Sequence, residues 1–251
     1  NTKINGYSVE KIINKKVKSF EADVWISLIP ESVEKTFLKI IQKHTHILNE
    51  SVIAHSFPLV LSSVVRDCFL PPHSYLLVDI TSETTHISYV AEGIIINTIT
   101  IPIGKNYIVR LLSKNTGITV EIAESYLELY IDNRLDEATT MQLDQTITSI
   151  EKEWSIYFEE ALLSFSDKLA LPKVVFMTGE DSVSKIFSTF MQLPKEDRTK
   201  NWRKDLKLTY LNGVSLSGFY KSRYPREIQD SVIIETIFYD RNIKFKINPE
   251  L

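Results

Sequence analysis

From residue 75 onward, short apolar runs alternate with longer amphipathic stretches, the rhythm of strands and helices in an α/β domain. Residues 75–80 are almost wholly apolar, as a strand covered on both faces must be. The run ends in Asp79 and a polar turn at 81–84. Thr85–Ala91 then alternates, Glu92-Gly93 offers a two-residue hairpin turn, and Ile94–Ile101 supplies a third strand, so the pattern predicts an antiparallel meander. Helices are expected over about 107–113, over 119–130 with Thr119 as cap, and over 137–169. The last of these carries an apolar stripe of Met141, Ile147, Ile150, Trp154, Phe158, Ala161, Phe165 and Leu169, which reads as core. Val174–Thr178 is a further buried strand, followed by a helix over 182–192.

The flanks are less regular. Residues 11–20 and 24–29 read as strands, and Pro30 stops the second of them. Ser32 can cap a helix running to about Lys43. Residues 51–53 suggest another short strand, and a helix over 59–69 closes at Pro71-Pro72. Beyond a polar loop at 194–205, a strand at 206–210 and a helix to about Tyr220 are expected, and 231–247 reads as two strands around Asp240-Arg241-Asn242. The expected organisation is therefore a small α/β unit with its connecting helix over 1–72, a core lobe over 73–220, and a hairpin tail over 221–251.

Composition narrows the functional classes. With 43% hydrophobic and 24% charged residues among 251, the chain is an ordinary globular protein. A net charge of -3 gives no electrostatic case for nucleic-acid binding. One cysteine, Cys68, excludes an intrachain disulfide and a cysteine zinc cluster, and its apolar neighbours make it a small buried residue in a reducing, cytoplasmic setting. No apolar run approaches the roughly 20 residues needed to span a bilayer, and the N-terminus lacks a signal peptide's apolar stretch. The chain opens on Asn1 rather than Met, which fits a piece of something longer.

No catalytic constellation emerges: Ser-His-Asp, Cys-His and paired-carboxylate patterns are absent, as are a Walker loop and a dinucleotide fingerprint. His44 and His46 lack further partners at metal-ligand spacing, so no metal site is expected. The run 198–207 mixes bases with acids and reads as a solvated loop.

Four stretches in order carry a resemblance. Residues 75–90, YLLVDITSETTHISYV, resemble the second phosphate loop of the actin-like ATPase superfamily, where a strand delivers Asp-Ile-Gly-x-x-Thr-Thr. Ile101-Pro102-Ile103-Gly104 resembles the Ile-Pro-x-Gly-Gly segment that follows it. Ala123-Glu124 looks like the start of the nucleoside-contacting Ala-Glu-x-x-Lys helix, and Thr178-Gly179 like the adenosine loop Thr-Gly-Gly-Gly. Ile4–Tyr7 and the segment through Glu34 are similar to the small extra subdomain of the bacterial FtsA and PilM proteins, of cell division and type IV pilus assembly. The resemblance implies an actin-like (ribonuclease H-like) fold with a small N-terminal α/β subdomain. It implies ATP with Mg²⁺ as ligand, and Asp79, Thr81, Thr84, Thr85, Gly104, Glu124 and Gly179 as the residues that would contact it.

The same residues also have local readings. Asp79 can bond its own turn, Thr84 and Thr85 can stabilise it, Glu124 can face solvent, and Glu180-Asp181 can cap the next helix. Departures favour these. Thr81 stands where the loop needs glycine, Lys105 where the second glycine would follow Gly104, Leu127 where the nucleoside contact has lysine, and Glu180-Asp181 where the adenosine loop has glycines. The family's first phosphate loop has no counterpart in the sequence. The expectation is a scaffold without catalytic residues at the inner face of a bacterial membrane, recruiting other proteins of a pilus, secretion or division assembly. The alternative is an active ATPase whose first phosphate loop lies outside this chain.

Overall fold

A computed structural model describes residues 2–4, 7–8, 16–22, 24, 26–45, 52, 54–166, 171–191, 206–222 and 228–243. The chain divides into two compact units, 1–60 and 61–251. The helix expected to close the first unit therefore falls mostly in the second.

In the first unit, β1 (Thr2–Ile4) pairs antiparallel with both β2 (Tyr7–Ser8) and β3 (Phe20–Ala22). The helix α1 spans Glu31–His44, with Pro30 rather than Ser32 at its N-cap. Pro30 already has the φ the first turn requires, and its carbonyl accepts from the amides of Val33 and Glu34. Two expected strands are corrected. Residues 16–19 are irregular, with 11–15 outside the described residues, and residues 24 and 26–29 form no strand although they alternate. A strand exists only with a hydrogen-bonded neighbour, and among the described residues none pairs with them. The strand expected at 51–53 and His46 lie largely or wholly outside the described residues.

The second unit is built on a five-stranded mixed sheet. After α2 (Phe57–Phe69), β4 (Ser74–Ile80), β5 (Thr85–Ala91) and β6 (Ile94–Ile101) form the expected antiparallel meander. Glu92 and Gly93 turn the second hairpin with φ of 51° and 73°, the left-handed values that a two-residue loop between right-twisted strands needs. The strands β7 (Val174–Thr178) and β8 (Lys207–Tyr210) add in parallel on the other side of β4, giving the order β6-β5-β4-β7-β8. The mixed α/β architecture is the one the sequence pattern implied.

Four helices belong to one face: α3 (Lys105–Thr116), α4 (Val120–Ile131), α5 (Glu137–Ser166) and α6 (Asp181–Met191). Leu76, Val78 and Ile80 of β4 and Ile87 and Tyr89 of β5 join their buried side chains in one core, with Trp154 stacked on Phe158 at 4.7 Å. The α5 stripe begins at Leu143, buried, and not at Met141, which is exposed; Leu169 lies outside the described residues. On the other face Tyr75 and Phe176 meet edge to face, and Phe176 continues to Phe69 of α2.

The tail corrects another expectation. Residues 231–243 are not a hairpin: α7 spans Asp230–Phe238 and continues as a π-helical turn over Tyr239–Ile243. β-branched residues suggested strands, but Ile233, Ile234, Ile237 and Phe238 fall on one side of a helix and are all buried, so packing overrides propensity. The helix expected before Tyr220 is a run of turns over 213–219.

Candidate functional site

The candidate residues gather at the carboxyl ends of β4 and β7 and at the N-terminus of α3. Near the end of β4 stands Asp79, whose register partners are His86 on β5 and Thr178 on β7, while His86 faces Thr100 on β6. Register partners share a face of the sheet, so these four make a polar row across it, beside the hydrogen-bonded pair Ser88 and Thr98. Burial pushes the Asp79 carboxyl up to about 6, with no charged partner among the described residues to oppose it. Burial also lowers His86 from its ordinary value.

The turn after β4 closes on itself. Thr81 donates its amide to the Thr84 carbonyl at 2.8 Å and its hydroxyl to the same oxygen at 2.9 Å. The Thr84 amide donates back to Thr81 Oγ1 at 3.1 Å. A β-branched threonine in the glycine position thus makes the turn its own partner, as Ser and Thr side chains do. The start of α3 holds it from outside: the amides of Lys105 and Asn106 donate to the carbonyls of Thr81 and Ser82. Glu83 receives Asn106 and a two-pronged contact from Arg110; the Arg110 bonds first, then Asn106, hold its carboxyl below its ordinary value.

Gly104 is where α3 and the turn touch. A Cβ there would stand 2.5 Å from the Thr81 oxygen, 2.6 Å from the Thr84 nitrogen and 2.7 Å from the Glu83 carbonyl carbon, all backbone atoms that cannot swing aside. The space that glycine leaves is filled by the protein's own chain. Gly179 is packed less tightly, a Cβ there standing 3.1 Å from both Cβ and the carbonyl oxygen of Ile80.

Lys105 ties the remaining candidates together. Its ammonium lies 2.7 Å from Glu124 Oε1 on α4 and 2.8 Å from Glu180 Oε2, next to Gly179. The Lys105 side chain is only 13% exposed, against 47% for Glu124 and 62% for Glu180, so the cation is the inner member of the triad. Burial works against its charge, but the two carboxylates outweigh it and keep the ammonium above its ordinary range. The Glu180 carbonyl also accepts the amide of Ser184, in the first turn of α6.

Thr85 goes elsewhere. It is fully buried on the helix-covered face, donates to the Ile103 carbonyl at 2.7 Å and receives Trp154 Nε1 at 3.5 Å. The structure therefore groups Asp79, Thr81, Thr84 and Gly104 around one turn, joins Glu124 to the neighbourhood of Gly179 through Lys105, and places Thr85 in the core. Sequence reasoning missed His86 and the bridging role of Lys105. The signal for His86 was its position on the same side of an alternating strand as Ser88, beside a turn. For Lys105 there was no local signal, since its partner Glu180 lies 75 residues away. Cys68, half-buried, has its thiol raised mainly by burial, in keeping with a packing role. Among the described residues no group of three His, Cys, Asp or Glu could hold a metal, and no helix is long and apolar enough to cross a membrane.

No protein-family model matches the chain, and no curated protein does. Solved structures do match. A chain of the PilM–PilN type IV pilus biogenesis complex aligns with a TM-score of 0.53 at 15% identity, covering 76% of this chain and 52% of that one. The chain thus spans about half the length of that relative. MreB5 of Spiroplasma citri bound to AMPPNP aligns at 0.53 and 16% identity, covering 90% and 69%, and its ADP-bound form at 0.51 and 16%, covering 89% and 69%. The mixed five-stranded sheet with helices packed on it is shared with these proteins: the chain has the actin-like ATPase fold, resembling PilM.

Proposed function

We propose that this chain is an actin-like scaffold unit of a bacterial membrane-associated assembly, of the pilus or secretion kind, which recruits partner proteins with weak or no nucleotide turnover. The observation that carries the reading is the Lys105–Glu124–Glu180 triad. It joins α3, α4 and the loop after β7 at the positions that resemble the nucleoside-contacting motifs. An internal cation there answers the two carboxylates that an anionic nucleotide would otherwise meet. The hydroxyls of Thr81 and Thr84 are engaged within the turn, and the approach that Gly104 would give a phosphate is taken by backbone. These residues do not fit a triphosphate in this arrangement. The pilus branch is favoured by the likeness to the PilM–PilN chain.

One observation favours a second reading, an ATPase completed by a first phosphate loop elsewhere. Asp79 is a half-buried carboxylate at the position that resembles the aspartate of an actin-like phosphate loop, with no charged neighbour among the described residues. Calorimetric titration with Mg-ATP separates the two. The scaffold reading expects no saturable heat below millimolar nucleotide; micromolar binding overturns it in favour of the second.

A further inference from the structure

Two directions satisfy the hydrogen bonds around the turn, and which one holds is set by whether the Thr81 hydroxyl donates to the Thr84 carbonyl at 2.9 Å or to Thr84 Oγ1 at 3.0 Å. In the first, the single Thr81 hydroxyl proton goes to the Thr84 carbonyl, which can only accept. The contact of 3.0 Å between the two hydroxyls is then filled by the Thr84 proton, donated to Thr81 Oγ1. With that proton engaged, Thr84 Oγ1 can only accept from His86 Nε2, 3.1 Å away. Neutral imidazole carries one proton, so Nδ1 is the acceptor and Thr100 Oγ1 donates to it at 2.9 Å.

We propose that His86 is the positioning residue of the 81–84 turn: fixed as the Nε2–H tautomer, it completes a one-way chain from Thr100 through His86 and Thr84 to Thr81 that turns both loop hydroxyls inward. The chain runs from β6 across β5 into the turn, so the strand pairing itself sets the turn's shape. Asp79, opposite His86 on β4, is the ionisable register partner left outside the chain. The bearing on function rests on the scaffold reading, because hydroxyls held inward are withheld from a ligand. The chain of bonds does not depend on that reading.

Long-range ¹H–¹⁵N spectra of the histidine rings in the full chain at pH 8, without nucleotide, test it, His86→Gln assigning the signal. Nε2 should resonate as the protonated nitrogen and Nδ1 as the bare one. Thr84→Val should release the ring to a mixture of tautomers and Thr84→Ser should restore it, whereas Thr100→Val should leave it Nε2–H. Exchange of the Thr84 amide should quicken about ten-fold in His86→Ala, the equivalent of one hydrogen bond, and little in Thr100→Val. An Nδ1–H ring in the unaltered chain overturns the proposal, as does Thr100→Val acting as strongly as Thr84→Val. The unaltered spectrum decides even where a variant fails to fold. Binding of Mg-ATP would overturn the functional reading and leave the tautomer result standing.

Discussion

Two loops end neighbouring parallel strands, the turn after β4 and the segment after β7, and α3 holds them by different means. The turn is held by backbone: Lys105 and Asn106 amides on the Thr81 and Ser82 carbonyls, with Gly104 allowing the approach. The β7 segment is held by charge: the Lys105 ammonium on Glu180, shared with Glu124. One residue thus grips one loop with its main chain and the other with its side chain. The two attachments therefore answer to different substitutions. Steric change at 104 reaches the turn alone, and charge removal at 105 reaches the β7 segment alone.

The largest expected effect is at Gly104. In Gly104→Ala the new methyl must displace backbone at 2.5–2.7 Å, and either α3 or the turn gives way. Overpacking of this kind costs about 3 kcal/mol or more where the obstructing atoms are main chain. Denaturant unfolding should show that loss, unchanged between low and high salt because no charge is involved. A loss below about 0.5 kcal/mol would mean that the turn is not clamped against α3.

Asp79, two residues before Thr81, links the turn to pH. Its folded-state value, about 6, lies above the ordinary carboxylate value of 3.8, so the native state holds the proton more tightly than the unfolded chain. Stability from this group is therefore fully present below pH 3.8 and is lost as the pH rises through about 6. At pH 8 Asp79→Asn should stabilise by about 2–3 kcal/mol at most, and at pH 3.5 the two proteins should be equal. A flat difference across that range would show that the carboxylate is solvated or paired.

The adjacent threonines show what the sequence could and could not tell. As a pair, Thr84-Thr85 reads either as two hydroxyls that stabilise their turn or as two aimed at one ligand. On a strand, successive side chains take opposite faces, so only Thr84 meets the turn, while Thr85 enters the core beneath Trp154. Thr85→Val leaves the Ile103 carbonyl without its hydroxyl donor and should cost about 1–2 kcal/mol in thermal or urea unfolding. The meander and the helical stripe of α5 were legible because burial imposes their periods of two and 3.6. Helix α7 was not, because Val, Ile and Thr favour strands locally and only the tertiary surface turns them into a helix face. The ion triad was illegible for another reason: it joins positions 105, 124 and 180, and no local pattern announces a contact over 75 residues.

Lys105→Met tests the weaker of the two grips. The methionine keeps an unbranched apolar stem of similar length, so packing is largely preserved and the charge alone is removed. Both carboxylates are more than a third exposed, and solvent therefore screens what they contribute. The expected loss is about 0.5–1 kcal/mol at low ionic strength, shrinking toward zero near molar salt. The Lys105 amide remains, so hydrogen exchange should quicken at the start of α6, where Ser184 bonds Glu180, and stay as it was in the 81–84 turn. If both loops loosen together, the separation of main-chain and side-chain attachment fails. If only the β7 segment loosens, charge holds one loop where geometry holds the other.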